Sequence, residues 1–272
     1  MSLRLALGGA SGRMGQALVR AILDAPDLAL AGGLARLEGR DLGALAGREP
    51  LGLATTADPT AAAADADGWI DFSTPEALAA ALPRLPPTVR FAVIGVTGLD
   101  AAATTAVEAL AARAPVVLAG NFSLGVAVLE HLVEQAAAML DAAAWDVEVV
   151  ETHHRRKLDA PSGTALLLGE AAARGRAGAL AGLRLPPRDG RQPLRPAGGI
   201  GFASLRGGGV VGDHTVLLAA EREVLRLSHQ ALDRAVFADG ALFAARWAAT
   251  APPGLYSLRD LLRPMQLLLE MR

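Results

Sequence analysis

The chain contains no cysteine, one tyrosine, few other aromatic residues and no long unbroken apolar run. Without cysteine, disulfides, thiolate metal sites and cysteine nucleophiles are all excluded. The longest uncharged stretch, 114–129, is interrupted by Pro115, Gly120, Asn121 and Ser123, so it does not read as a membrane span. The opening residues, MSLRLALGGASG, lack the apolar length and cleavage pattern of a signal peptide, and a soluble cytoplasmic protein is expected. An excess of one charge is missing as well. With 26 Lys and Arg against 28 Asp and Glu the formal net charge is −2, which argues against nucleic acid as the main partner. No internal repeat is present, and 272 residues fit one or two domains with a sizeable core.

What is present is concentrated at 151–165, ETHHRRKLDAPSGTA. His153, His154, Arg155, Arg156 and Lys157 occupy consecutive positions, and Pro161, Ser162, Gly163 and Thr164 stand directly before an apolar run with helical character. Basic runs are usually solvated faces. Here, however, the run leaves a strand-like segment, WDVEVVE at 145–151, and is followed by a helix start. Cationic side chains beside the N–H groups and positive dipole end of a helix make an anion site suited to a carboxylate. Adjacent histidines with Glu148, Glu151 and Asp159 nearby can also ligate zinc. Neighbouring strand residues point to opposite faces, though, and no HxH or HxxxH spacing exists, so no metal is expected.

At the N-terminus an apolar run, Leu3 to Leu7, leads into GGASGRMG and then a helical pattern. Strand, glycine turn and helix in this order form a dinucleotide fingerprint, in which Gly9, Gly12 and Gly15 permit a tight turn and close approach of a pyrophosphate to the helix N-terminus. The turn Gly9, Ala10, Ser11, Gly12, Arg13 and Met14 is the expected phosphate-binding segment. A second strand, 28–34, ends without the acid that reads an NAD ribose; Ala35 takes that place and Arg36 follows. An arginine without the acid suits a 2′-phosphate, so NADPH is favoured over NADH, unless Glu38 reaches back from the loop. Strands are expected at 69–72, 91–94 and 116–119, each followed by a small or polar turn and, after the first two, by a helix. A long helix, 126–140, precedes the histidine strand. Residues 175–199 read as a long mobile connector. Strands 200–206, 210–220 and 223–230 read as an antiparallel meander, and helices follow from 234, the last over 256–262.

Nearly the whole chain resembles the 4-hydroxy-tetrahydrodipicolinate (dihydrodipicolinate) reductases of the diaminopimelate and lysine pathway. The resemblance lies in the glycine turn, DFSTPE at 71–76, GVTG at 95–98, NFSLGV at 121–126, ETHHRRKLDAPSGTA, IGFASLRGGGVVGDHTV at 200–216 and SHQALDRAVFADGAL at 228–242. It implies an α/β fold with an N-terminal Rossmann-type parallel-sheet dinucleotide domain, 1–123 and 238–272. A smaller α+β substrate-binding and oligomerisation domain with a mixed sheet, 124–237, is implied between them. It further implies that the nicotinamide lies against Gly95, Val96 and Thr97 and against Ala119, Gly120, Asn121 and Phe122. Hydride is then delivered to C4 of a cyclic dicarboxylate whose hydroxyl leaves as water. The electron-rich product of hydride addition must be protonated, and His153 and Lys157 match the family's acid pair. His154, Gly163 and Thr164 match substrate-carboxylate contacts, and a homotetramer is implied. The chain departs from the family's pattern at Ala35, Val96 and Gly199. Two other readings remain at this level: a related NAD(P)H-dependent imine or amino-acid reductase, and a non-catalytic dinucleotide sensor.

Overall fold

The structure is a computed structural model and describes residues 2–191 and 193–262; positions 263–272 of the expected C-terminal segment lie outside the described residues. The chain forms two compact units, Met1–Ser123 with Ala235–Arg272, and Leu124–Arg234.

The first unit runs β1 (Leu3–Gly8), α1 (Arg13–Leu23), β2 (Leu28–Leu34), α2 (Leu42–Leu45), α3 (Pro59–Ala62), β3 (Gly68–Asp71), α4 (Pro75–Ala81), β4 (Phe91–Ile94), α5 (Ala101–Ala111) and β5 (Pro115–Leu118). The second holds α6 (Leu124–Met139), β6 (Asp146–His153), α7 (Gly163–Gly175), α8 (Leu180–Leu183), β7 (Ile200–Arg206), β8 (Gly212–Ala219) and β9 (Val224–Ala231). The chain then returns to the first unit as α9 (Ala235–Ala248) and β10 (Gly254–Tyr256).

Six parallel strands in the order β10-β5-β4-β3-β1-β2 make the first sheet. Its central strands are buried throughout, β3 and β4 at every residue, which is why they read as short continuous apolar runs and not as alternating ones. Trp69, Leu78, Leu82, Val107 and Leu110 belong to one core cluster, in which α4 and α5 pack on the sheet. The helix starts follow their sequence signals. Thr74 caps α4 ahead of Pro75, and Asp100 caps α5 by accepting from Ala103 N at 2.8 Å. Because β1 lies between β2 and β3, the order reverses there, and this is the crevice in which doubly wound sheets bind ligands.

The second sheet has the order β7-β6-β8-β9. The expected meander is corrected here: β7 pairs with β6 in parallel, while β8 pairs antiparallel with β6 and β9. The turn at 207–209 is a crossover past β6, not a hairpin; three glycines serve either purpose. The arrangement puts β6 at the centre, where its strictly alternating side chains, Val147, Val149, Glu151 and His153, face inward. Val147 and Val149 join Leu129 and Val133 of α6, Leu168 and Ala172 of α7, and Val216 and Leu218 of β8 in a second core.

The connector 175–199 carries α8 and is pinned by two arginines. Arg176 donates to Trp145 O and to Gly198 O, the latter at 2.8 Å, and Arg195 donates to Val147 O at 2.7 Å and pairs with Glu148 at 3.0 Å. The helix expected over 256–262 begins only at 258. Tyr256 instead ends β10, which pairs with β5, and its ring meets Trp247 edge-on at 4.8 Å.

Candidate active site

The loops leaving β1, β3, β4 and β5 lie at the C-terminal edge of the six-stranded sheet. Gly9 has φ +70°, and a Cβ there would come within 3.0 Å of Ser73 in the loop after β3, so glycine is required on both counts. Gly12 precedes α1 with no side-chain cap. An eleven-residue helix thus begins behind a backbone-only turn, which fits a dinucleotide pyrophosphate. Of the other expected cofactor residues, Ser11, Arg13, Arg36, Thr97 and Gly120 are exposed and Met14, Gly95, Ala119 and Asn121 half-buried. Ala10, Ala35, Val96 and Phe122 are buried, so these four offer a ligand little beyond backbone. Phe72 links two of the loops: its ring meets Phe122 edge-on at 5.4 Å and fills the space that a side chain on Gly95 would need. Glu38 is engaged elsewhere, accepting from Ala57 N at 2.8 Å. Sequence reasoning missed Asp71. Fully buried at the end of β3, it accepts from Trp69 Nε1 at 2.9 Å and Ser73 N at 2.8 Å, and burial raises its carboxyl above the usual range.

In the second unit the residues of the 151–165 stretch separate by direction. His153, the last residue of β6, is buried, and its Nδ1 lies 2.5 Å from Glu151 Oε2. Arg155 and Arg156 point to solvent. His154 is half-buried, with Nε2 3.3 Å from Arg234 Nη2. Desolvation, and after it the positive charge of Arg156, Arg234, His153 and Lys157, lowers its pKa and favours the neutral ring. Lys157 Nζ, on a half-buried side chain, pairs with the more exposed Asp159 at 2.9 Å.

Ser162 caps α7, its Oγ accepting from Ala165 N at 3.1 Å. Gly163 and Thr164 are therefore the first residues of α7, where a helix turns its backbone N–H groups outward. The Ala160–Pro161 peptide before them is cis.

Sequence reasoning also missed the groups that bind this stretch together. Arg206, at the end of β7, donates to both oxygens of Glu151 at 2.8 and 2.7 Å. Glu151 Oε1 also accepts from Ser162 N at 3.2 Å. Burial alone would raise the Glu151 carboxyl; hydrogen bonds from Arg206, Ser204 and His153 outweigh it and bring the pKa down to about 2. His214, Glu151's neighbour on β8, lies 3.0 Å from Ser162 Oγ through Nε2 and edge-on to His153 at 5.0 Å between centroids. Burial, then the neighbouring His153, lowers its pKa to about 4. The period-2 spacing of Glu151 and His153 was the available signal for an acid on the same face as the histidine. Among the described residues no three His, Asp or Glu group in a way that could hold a metal ion, and no helix is long and apolar enough to cross a membrane.

A backbone-only glycine turn at the switch point of a doubly wound parallel sheet is the arrangement of a dinucleotide-binding protein. The sequence profiles described as "Dihydrodipicolinate reductase, N-terminus" and "Dihydrodipicolinate reductase, C-terminus" match residues 3–122 and 125–262, so the chain belongs to the dihydrodipicolinate reductase family, a group of NAD(P)H-dependent oxidoreductases. It is 50% identical over 264 residues to the 4-hydroxy-tetrahydrodipicolinate reductase of Rhodopseudomonas palustris strain BisB18, covering 96% of this chain and 97% of that one. Identity to the enzyme of the same name from Parvibaculum lavamentivorans is 52% over 267 residues, again at 96% and 97%. Among solved structures, the dipicolinate-bound dihydrodipicolinate reductase of Paenisporosarcina sp. TG-14 shares the fold, with TM-score 0.72 at 24% identity over 96% of this chain and 99% of that one.

Proposed function

We propose that the protein reduces 4-hydroxy-tetrahydrodipicolinate to tetrahydrodipicolinate with loss of water, in the diaminopimelate and lysine pathway, using NADPH in preference to NADH. The observation that carries the reading is the 151–165 stretch, with a buried histidine clamped by a carboxylate that is itself hydrogen-bonded to the start of α7. The unit of residues 1–123 with the segment that returns at α9 serves as the dinucleotide domain, and the unit of residues 124–234 as the substrate and oligomerisation domain. Gly9 to Met14, Ala35, Arg36, Gly95 to Thr97 and Ala119 to Phe122 hold the cofactor, which when bound supplies the hydride to C4. His153 and Lys157 supply the proton that the electron-rich product of hydride addition requires. The substrate's two carboxylates are met by a double anion site, the helix start at Gly163 and Thr164 and the cationic run with His154. Ala35 carries no charge to repel a 2′-phosphate, Arg36 is exposed, and Glu38 is occupied by Ala57, all of which support NADPH. The protein acts in the cytoplasm as a homotetramer, and the exposed Leu205, Val224 and Leu225 of the four-stranded sheet support association through it.

The test is oxidation of NADPH with 4-hydroxy-tetrahydrodipicolinate generated freshly by the preceding synthase. His153→Ala and Lys157→Ala are each expected to lower kcat by a factor within the ~10²–10⁴ range of general acid catalysis, with dinucleotide affinity intact. Oxidation with other cyclic imines but not this one would replace the reading with that of a related imine reductase. Near-normal kcat in both variants would leave the stretch as a docking site only.

A further inference from the structure

We infer that Glu151, locked by Arg206, is the positioning residue that fixes the tautomer of His153 and makes Nε2 the nitrogen that exchanges protons. The inference rests on the reading of His153 as a proton donor. Glu151 and His153 are two apart on β6 and so share its buried face. Parallel pairing of β6 with β7 sets Arg206 opposite His153, and from there its guanidinium reaches back to Glu151 as a two-pronged donor. Arg206 and Ser162 N both donate to this carboxylate, whose side chain is fully buried. It is therefore ionised, and an ionised carboxylate only accepts. The nitrogen 2.5 Å from it, Nδ1, must carry a proton in both charge states of the ring. Only Nε2 is left to give one up and take one back.

The surroundings of Nε2 agree. A Cβ built on Gly212 would lie 3.2 Å from it, so the bare glycine on β8 keeps that nitrogen uncrowded. The charged and titratable groups around the ring are Glu151 on its own strand, Arg206 from β7, His214 from β8, and Lys157 and His154 from the following turn. Of the carboxylates among the described residues, Glu151 alone bonds the ring, so orientation and charge come from the same group. A purely structural ion pair tying β6 to β7 would need no histidine on its open side.

The experiment combines histidine ¹⁵N NMR of the whole protein with kinetics of Glu151→Gln, His153→Ala and the double variant. In the wild type, neutral His153 is expected as the Nδ1–H tautomer; the Nε2–H form would overturn the inference, and this measurement needs no variant to fold. Glu151→Gln should lower kcat about 10- to 100-fold, part of the ~10²–10⁴ that a general acid contributes. KM for the dicarboxylate should stay within about two-fold, because the interaction is felt in the chemical step. The double variant should be no worse than His153→Ala. Equal losses from Glu151→Gln with and without His153 would overturn the positioning role and leave the proton-donor reading standing. Near-normal kcat in His153→Ala would overturn both.

Discussion

At the end of β2, where the dinucleotide's ribose is proposed to lie, stand two side chains of very different reach. Ala35 is buried and donates its N–H to Thr56 O, while Arg36 is exposed and makes no ion pair among the described residues. If the 2′-phosphate of NADPH pairs with Arg36, removing the guanidinium forfeits a charge-assisted contact of roughly 1.5 kcal/mol, or about ten-fold in affinity. Arg36→Ala should therefore raise KM for NADPH about ten-fold and leave KM for NADH nearly unchanged, as measured by steady-state kinetics with each cofactor. Equal losses for both would remove Arg36 from the site. At this scale, what was legible was local chemistry. The Ser162 cap, the glycine turn and the run of cations are all written in adjacent letters. The partners of Glu151 were not, because Arg206 and His214 come from strands whose pairing with β6 is set by tertiary packing, and nothing near 151 in the chain specifies them.

Among elements, the sharpest constraint lies where α9 crosses the loop after β5. A Cβ on Gly240 would come 1.7 Å from Phe122 O, and a backbone carbonyl cannot rotate aside as a side-chain tip can. Gly240→Ala must push the loop or the helix, an overpacking that typically costs about 1–3 kcal/mol. Urea unfolding should show that loss, and KM for NADPH should rise with it, since the displaced loop is the one proposed to face the nicotinamide. Unchanged stability would mean that the helix gives way without consequence. Element types were legible where a period or a cap announced them, as with α1, α4, α5 and β6. Pairing was not: β7 reads equally well beside β6 or β8. The three residues of β10 carry too little pattern to be told from a helix start, and they become a strand by adding to the open edge of β5.

For the molecule as a whole, the buried ionisable groups set opposing responses to acid. His214 has its pKa lowered to about 4 from 6.5, so below pH 6.5 the unfolded chain takes up a proton that the folded chain refuses. Stability should fall as pH drops from 6.5 to 4, by up to about 3 kcal/mol. Glu151, lowered to about 2, adds a second loss between roughly pH 4.5 and 2. Asp71 works the other way. Its raised pKa gives a contribution that is present at low pH and is lost as pH climbs above 3.8. The unit of residues 124–234 should therefore weaken first on acidification, visible as a fall in urea midpoint between pH 7 and 5 that His214→Gln reduces, the lowered His154 and His229 accounting for the rest. A midpoint independent of pH over that range would mean that His214 titrates alike in both states. The interrupted course of the chain also bears on the order in which the protein is made. The sheet bearing the glycine turn receives its last described strand, β10, and its covering helix, α9, only after all of 124–234 has been translated. The unit begun at the N-terminus therefore cannot close the β5 edge of its sheet until the whole middle unit has been synthesised.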